Sequence, residues 1–231
     1  MGLKIIKQHE EKHKNAIVHF VYAEVSDVAQ IAKDVHDDIV ENSWINGLSA
    51  INKAAYERRA AETIKYIVDK ILAKVKTKVG RNLGELVIST KAQDILESEH
   101  NHKKLPLAEL WKEKIRGNPG FDFHTETPTN FIAFGEAKYN SRQPAYTAAI
   151  KQTVKFITKE KDIKELSDLQ HFISEPTKAN CLFPTSKAFS VAFSVHNGKP
   201  EKTFKQVTKC KKFAKLLKYP ELYVIGIQFV S

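Results

Sequence analysis

Two acids and a lysine stand in the most strand-like part of the chain: Asp122 within Phe121 to Thr125, and Glu136 and Lys138 within Phe131 to Tyr139. Both stretches are aromatic and alternating, and Glu126-Thr127-Pro128-Thr129-Asn130 between them has turn composition, which predicts a hairpin. Centred on Pro128, that hairpin sets Asp122 across from Phe134 and diagonal to Glu136. Side chains alternate faces along a strand, so Asp122 and His124 share one face, and Ile132, Phe134, Glu136 and Lys138 share one face of the partner. Cross-strand neighbours lie roughly 5 to 8 Å apart, so both carboxylates and the Lys138 amine converge. Burying these groups among Phe121, Phe123, Ile132, Phe134 and Tyr139 is costly unless a counter-ion or an opening to solvent compensates. A hard divalent cation does so. Mg²⁺, or Mn²⁺ in its place, is held by paired carboxylates and backbone carbonyls and keeps waters that become nucleophiles. Lys138, partly desolvated beside that ion, is expected to have a lowered pKa suited to water activation or a phosphate contact. The plain alternative is a same-face salt bridge on a solvated strand. Against it, Phe134, Gly135 and Ala137 have the character of a buried central strand.

Asp122, thirteen intervening residues, then Glu136-Ala137-Lys138 on an apolar strand resembles the PD-(D/E)xK nuclease superfamily. The resemblance implies a restriction-endonuclease-like mixed β-sheet flanked by helices. It also implies a role for each residue: Asp122, Glu136 and the Ala137 carbonyl as metal ligands, and Lys138 orienting or activating the attacking water. Pro119 stands near the position where such chains often carry a proline. Many members add a glutamate on a helix before the hairpin, and Glu85 is the candidate as catalytic residue and metal ligand; Glu85 equally completes a capping box with Asn82. Gln152 or Gln143 could match the glutamine that often follows the second strand. The run from Gly84-Glu85-Leu86 through Lys104-Leu105-Pro106 to Gly135-Glu136-Ala137-Lys138-Tyr139 is most similar to the HamA nuclease family of the Hachiman antiphage defence system. That likeness covers roughly residues 80 to 158. It implies DNA as substrate and a helicase subunit as partner, and a homodimer is a further option for a nuclease that cuts both strands.

The elements that must position these residues follow from periodicity. A strand is expected over Ala16 to Val25, then a helix over Ser26 to Val40 with Ser26 as N-cap and Val28, Ile31, Val35 and Ile39 inward. A second helix over Ala54 to Lys78 carries the stripe Ile64, Ile67, Val68, Ile71, Leu72 and Val75 and ends at Gly80. A third begins at Asn82 with Leu83, Leu86, Val87 and Ile95 toward a core, followed by a polar loop over Glu97 to Lys104 and a short helix over Leu107 to Lys114. After the hairpin come a helix from Pro144 to Thr158, a strand from Ala188 to Val195, a turn at Asn197-Gly198, a helix from Lys202 to Lys218 and a strand from Leu222 to Val230. Strands alternating with helices read as α/β. The expected organisation is a mostly helical region over 1–79, for partner or substrate contacts, and a nuclease domain over 80–231.

Composition bounds the rest. The chain has 231 residues, 37 Lys and Arg against 27 Asp and Glu, and a formal net charge of +10. With 42% hydrophobic and 28% charged residues it has the composition of a chain with a core. The positive charge is almost all lysine, since the only arginines are Arg58, Arg59, Arg81, Arg116 and Arg142. It favours a polyanionic partner such as nucleic acid. Lys202, Lys205, Lys209, Lys211, Lys212, Lys215 and Lys218 surround an apolar stripe of Phe204, Val207, Cys210, Ala214 and Leu217; a charge run of this kind is ordinarily a solvated face, and beside a nuclease hairpin it could follow a nucleic-acid backbone. No secretory signal, myristoylation pattern or membrane span is evident, so a cytoplasmic protein is expected. Cys181 and Cys210 read as two reduced thiols. His124 reads as a histidine hydrogen-bonded at a strand end, and His100 and His102 as loop residues without the ligands of a zinc site. No Gly-rich phosphate loop, G-x-S-x-G elbow or H-E-x-x-H is present. The runner-up function is a catalytically idle nucleic-acid-binding or scaffold subunit.

Overall fold

The computed structural model describes residues 2–41, 43–71, 80–112, 120–196 and 198–230. Pro119, Arg116, Asn197 and the expected helical positions Leu72 and Val75 lie outside the described residues.

Seven strands form one mixed sheet. In chain order they are β1 (Leu3–Lys12), β2 (Ile17–Val25), β3 (Lys103–Lys104), β4 (Phe123–Glu126), β5 (Ile132–Lys138), β6 (Ala188–Val195) and β7 (Glu221–Phe229), and in space β1-β2-β7-β6-β5-β4-β3. The four central strands β2, β7, β6 and β5 run parallel, and antiparallel pairs close both edges. β5 and β6 are buried along their whole length, as strands covered on both faces must be.

The two faces differ in side-chain size, and that difference places the helices. Ile132 and Phe134 of β5 and Phe189, Val191 and Phe193 of β6 project into a bulky core with Ala149, Ile150, Val154 and Phe156 of α5 (Tyr146–Thr158). The opposite face offers Ala133 and Ala137 of β5 and Ala188 and Ala192 of β6, which let α3 (Arg81–His100) settle close to the strands. Most of α3 is buried, from Leu83 to Leu96. The approach is tightest at Gly84, where a Cβ would stand 2.3 Å from the Tyr139 ring. Beside α3, α1 (Val28–Val40) packs Ile31, Val35 and Ile39 at the spacing i, i+4, i+8. Further along the chain lie α2 (Ala50–Tyr66) and α4 (Ala108–Trp111). Among the described residues no helix is long and apolar enough to cross a membrane.

The structure confirms a mixed sheet flanked by helices and corrects several local expectations. Among the described residues before 80, helices α1 and α2 follow two strands: β1, which was not anticipated, and β2, the strand expected over Ala16 to Val25, which lies inside the sheet, paired along its length with β7. The expected boundary at residue 80 therefore crosses a sheet shared by both sides. Asp27, in the left-handed region at φ 55°, caps α1 by accepting from the Gln30 N–H, in place of Ser26. Gly80 occupies the N-cap position of α3 and Asn82 is already helical, so the expected capping box of Asn82 with Glu85 does not form. The polar stretch after Glu97 continues α3 to His100, and Lys103–Lys104 then pair with β4. The long lysine helix is two pieces, α9 (Pro200–Thr208) and a 3₁₀ segment Phe213–Lys218. Between β5 and α9 the remaining helices are the short α6 (Lys161–Lys164), α7 (Leu166–Leu169) and α8 (Glu175–Asn180).

Candidate active site

The hairpin forms with a register two residues along from the expected one. Phe123 pairs with Gly135 and His124 with Phe134, and the Asp122 N–H donates to the Gly135 carbonyl at 2.8 Å. Asp122 is thus level with Glu136, not with Phe134. A two-residue shift keeps every side chain on its face, so the convergence survives the error. Gly135 is required at this point, because a Cβ there would lie 2.3 Å from the Phe123 ring.

At the carboxyl end of β5 the Lys138 ammonium is the centre of a ring of oxygens. Its Nζ lies 2.5 Å from Glu136 Oε1, 3.8 Å from Asp122 Oδ2 and 3.8 Å from Glu85 Oε1, and it donates to the Ala137 carbonyl at 2.8 Å. All four positions that the resemblance implies as metal ligands therefore surround the Lys138 ammonium, drawn from just before β4, the end of β5 and the first turns of α3. Gly84 brings Glu85 into reach by letting α3 rest on Tyr139. Asp122 is oriented by the Ala137 N–H, which donates to its Oδ2 at 2.8 Å, and Glu85 by the Arg81 Nε at 3.1 Å.

Glu136 is the anomaly of the site. Its side chain is 0% exposed, and neither carboxylate oxygen has a well-formed hydrogen bond. Burial, then the negative charge of Asp122, pushes its carboxyl well above the usual carboxylate range despite the pull of Lys138. Burial raises Asp122 as well, against the opposing effect of Lys138 and the Ala137 N–H. Lys138 itself moves up among the protein's own groups, whereas the lowered value expected from the sequence supposed a bound ion beside it. Burial disfavours its ammonium, but the attraction of Asp122, Glu136 and Glu85 outweighs that cost, so the group holds its proton.

A buried carboxylate without hydrogen-bond partners, beside a second carboxylate and a backbone carbonyl, is a donor set for a hard divalent cation. The side chains alone do not complete one: among the described residues no three His, Cys, Asp or Glu side chains are arranged to hold a metal ion. The fit rests on two carboxylates and the Ala137 carbonyl. Open to solvent beside Lys138 is a cavity of about 780 Å³ lined by Arg81, Tyr139, Arg142 and Gln143 among others. Gln152 does not line it. This is the crevice outside the carboxyl end of a parallel strand, where open α/β sheets bind ligands.

His124 belongs elsewhere. It is fully buried, edge-on to Phe134, with its Nε2 2.8 Å from Glu165 Oε2. Glu165 also accepts from the Phe121 N–H at 3.0 Å and pairs with Lys112 at 2.7 Å, while Lys112 donates to the Phe121 carbonyl at 2.5 Å. Both backbone polar groups of the residue before Asp122 are thereby held by a buried ion pair. Sequence reasoning missed Glu165 and Lys112, and no local spacing could have found them. His100 is the last residue of α3 and His102 lies in the short connection to β3; both pack against Tyr223, His100 also against His19, and His102 shares a hydrogen bond with Thr125 Oγ1 at 2.8 Å. Cys181 and Cys210 are free.

Compared with known proteins, the chain matches no family model and no curated protein in sequence.

Proposed function

We propose that the chain is a divalent-metal-dependent nuclease that hydrolyses DNA phosphodiester bonds, on a restriction-endonuclease-like form of its mixed sheet. The observation that carries the reading is the meeting of Asp122, Glu136, Glu85 and the Ala137 carbonyl around Lys138, with Glu136 buried and short of partners. Asp122, Glu136 and the Ala137 carbonyl would hold Mg²⁺ or Mn²⁺. Such an ion neutralises phosphate charge and supplies a water of lowered pKa. Lys138 would orient the attacking water or donate a hydrogen bond to a phosphate oxygen. Glu85 holds the Lys138 ammonium from the α3 side. The resemblance to the HamA family extends the proposal to a helicase partner and a role in antiphage defence.

The second reading is a non-catalytic nucleic-acid-binding subunit. In its favour, Lys138 already stands among the carboxylates and compensates part of their charge without a metal. Supercoiled plasmid incubated with the chain in Mg²⁺ or Mn²⁺ separates the two. The parent is expected to nick or linearise it, and a Glu136→Ala, Lys138→Ala double variant to bind DNA without cutting. Equal behaviour of the two proteins would refute the enzyme.

A further inference from the structure

The cavity beside Lys138 does not end at the active site. Its wall runs down α5 through Thr147 and Lys151, and the same two residues line a second cavity of about 510 Å³ against the end of α9. The two hollows adjoin at Thr147 and Lys151 on α5 and are taken together as one groove. Arg81, Arg142 and Lys151 line the first part, and Lys209, Lys211 and Lys212 the second, with no Asp or Glu among the described residues that line either part. In a chain with 27 acidic residues that segregation is selective. Glu85 engages Arg81, but Arg142, Lys151, Lys209, Lys211 and Lys212 make no ion pair among the described residues, and all but Lys212 are exposed. Tyr139 stands in the first cavity and Tyr146 in the second, half-buried and polar at the tip.

Unpaired cations at intervals along a groove, with hydroxyl and amide groups between them, fit a polymer of regularly spaced anions better than one small ligand. We infer that this groove is the track of a nucleic-acid strand, whose phosphates run from the Lys138 site past Arg142 and Lys151 to Lys209 and Lys212. The inference rests on the nuclease reading for its direction toward Lys138, and on charge and shape alone for its existence. The expected division of labour is that the deep acids at Lys138 act on one phosphodiester, while the groove holds the strand on one side of it by phosphate neutralisation.

The test is binding, measured on the full chain carrying Glu136→Gln so that no cleavage result enters. Fluorescence anisotropy of a labelled oligothymidine is recorded across a salt series, and the slope of log affinity against log salt is compared between three proteins. The Glu136→Gln chain is the reference. A second chain adds Lys151→Gln, Lys209→Gln and Lys212→Gln. A third adds Lys14→Gln, Lys33→Gln and Lys65→Gln, an equal loss of charge at exposed lysines that line neither cavity. Each phosphate contact contributes a slope of about 0.7 for a single strand, so the groove variant is expected to flatten the slope by roughly 2, with the control unchanged. An unchanged slope in the groove variant, an equal flattening in the control, or a reference chain that does not bind would each overturn the track. Absence of cleavage by the parent beside a flattened slope would instead refute the nuclease reading and leave the track standing.

Discussion

Replacing Glu136 by Gln decides between a metal-binding acid and a structural salt bridge, because the two readings predict opposite signs. In the structural reading, Glu136 and Lys138 are a buried pair, and deleting one charge from such a pair costs about 3 to 5 kcal/mol by orphaning the other. The geometry argues against that outcome. Lys138 keeps Asp122 and Glu85 at 3.8 Å each after the change, so it is not orphaned. Glu136, by contrast, is fully buried with no well-formed hydrogen bond and shares one buried ammonium with two other carboxylates. An isosteric amide removes a buried charge that Lys138 compensates only in part, and the relief should be about 1 to 4 kcal/mol, the range seen when buried charges are replaced by neutral groups of similar volume. Urea unfolding followed by circular dichroism, near neutral pH in EDTA, should therefore show Glu136→Gln more stable than the parent. Adding Mg²⁺ at about ten times its dissociation constant should then stabilise the parent by about 1.4 kcal/mol and leave the variant unmoved. A variant less stable than the parent in EDTA, or equal stabilisation of both by Mg²⁺, would refute the reasoning.

Other perturbations read the surroundings of the site. Burial, then the positive charges of His100 and His19, lowers His102 to about 3 from 6.5, and His100 is likewise lowered to about 4. The unfolded chain takes up protons that the folded chain refuses, so stability is complete above about pH 6.5 and falls with pH below it, by about 1.4 kcal/mol per unit for His102 until about pH 3. His102→Gln should remove that much slope from unfolding free energies measured between neutral and mildly acid pH; a variant with the parent's slope would show that His102 titrates normally in the fold. Gly84→Ala puts a methyl 2.3 Å from the Tyr139 ring. It should cost about 1 to 3 kcal/mol by overpacking, and it should lower cleavage because α3 carries Glu85. A melting temperature and cleavage rate equal to the parent's would mean that α3 can lift without consequence.

The fold was legible where it depends on local alternation. Phe134, Glu136 and Lys138 share a face of β5 because a strand has period two, and the tight turn over Glu126 to Asn130 makes the neighbouring strand antiparallel whatever the rest of the chain does. Register was less legible, since nothing within the turn distinguishes a pairing centred on Pro128 from one two residues along. β1 was invisible because an edge strand is half exposed, and Lys4, Lys7, Glu10, Glu11 and Lys12 give it the composition of a solvated segment. The lowered pKa expected for Lys138 supposed a bound ion beside it; among the protein's own groups, Asp122, Glu136 and Glu85 stabilise its ammonium and the shift is upward.

What the sequence determined by itself is the chemistry available: Asp122, Glu136 and Lys138 on adjoining strands, a lysine excess, and alternating strands and helices. Those properties are set by residue type and by neighbours a few positions away. Only the tertiary structure decided that Glu85 reaches Lys138, that Glu165 and Lys112 hold the backbone before Asp122, and that Lys151 and Lys209 line one groove. The first depends on how closely α3 can approach the sheet, a distance set by alanines on β5 and β6 and by Gly84 on α3, and the others on which distant segments the bulky opposite layer gathers; both effects appear only when the layers are packed together.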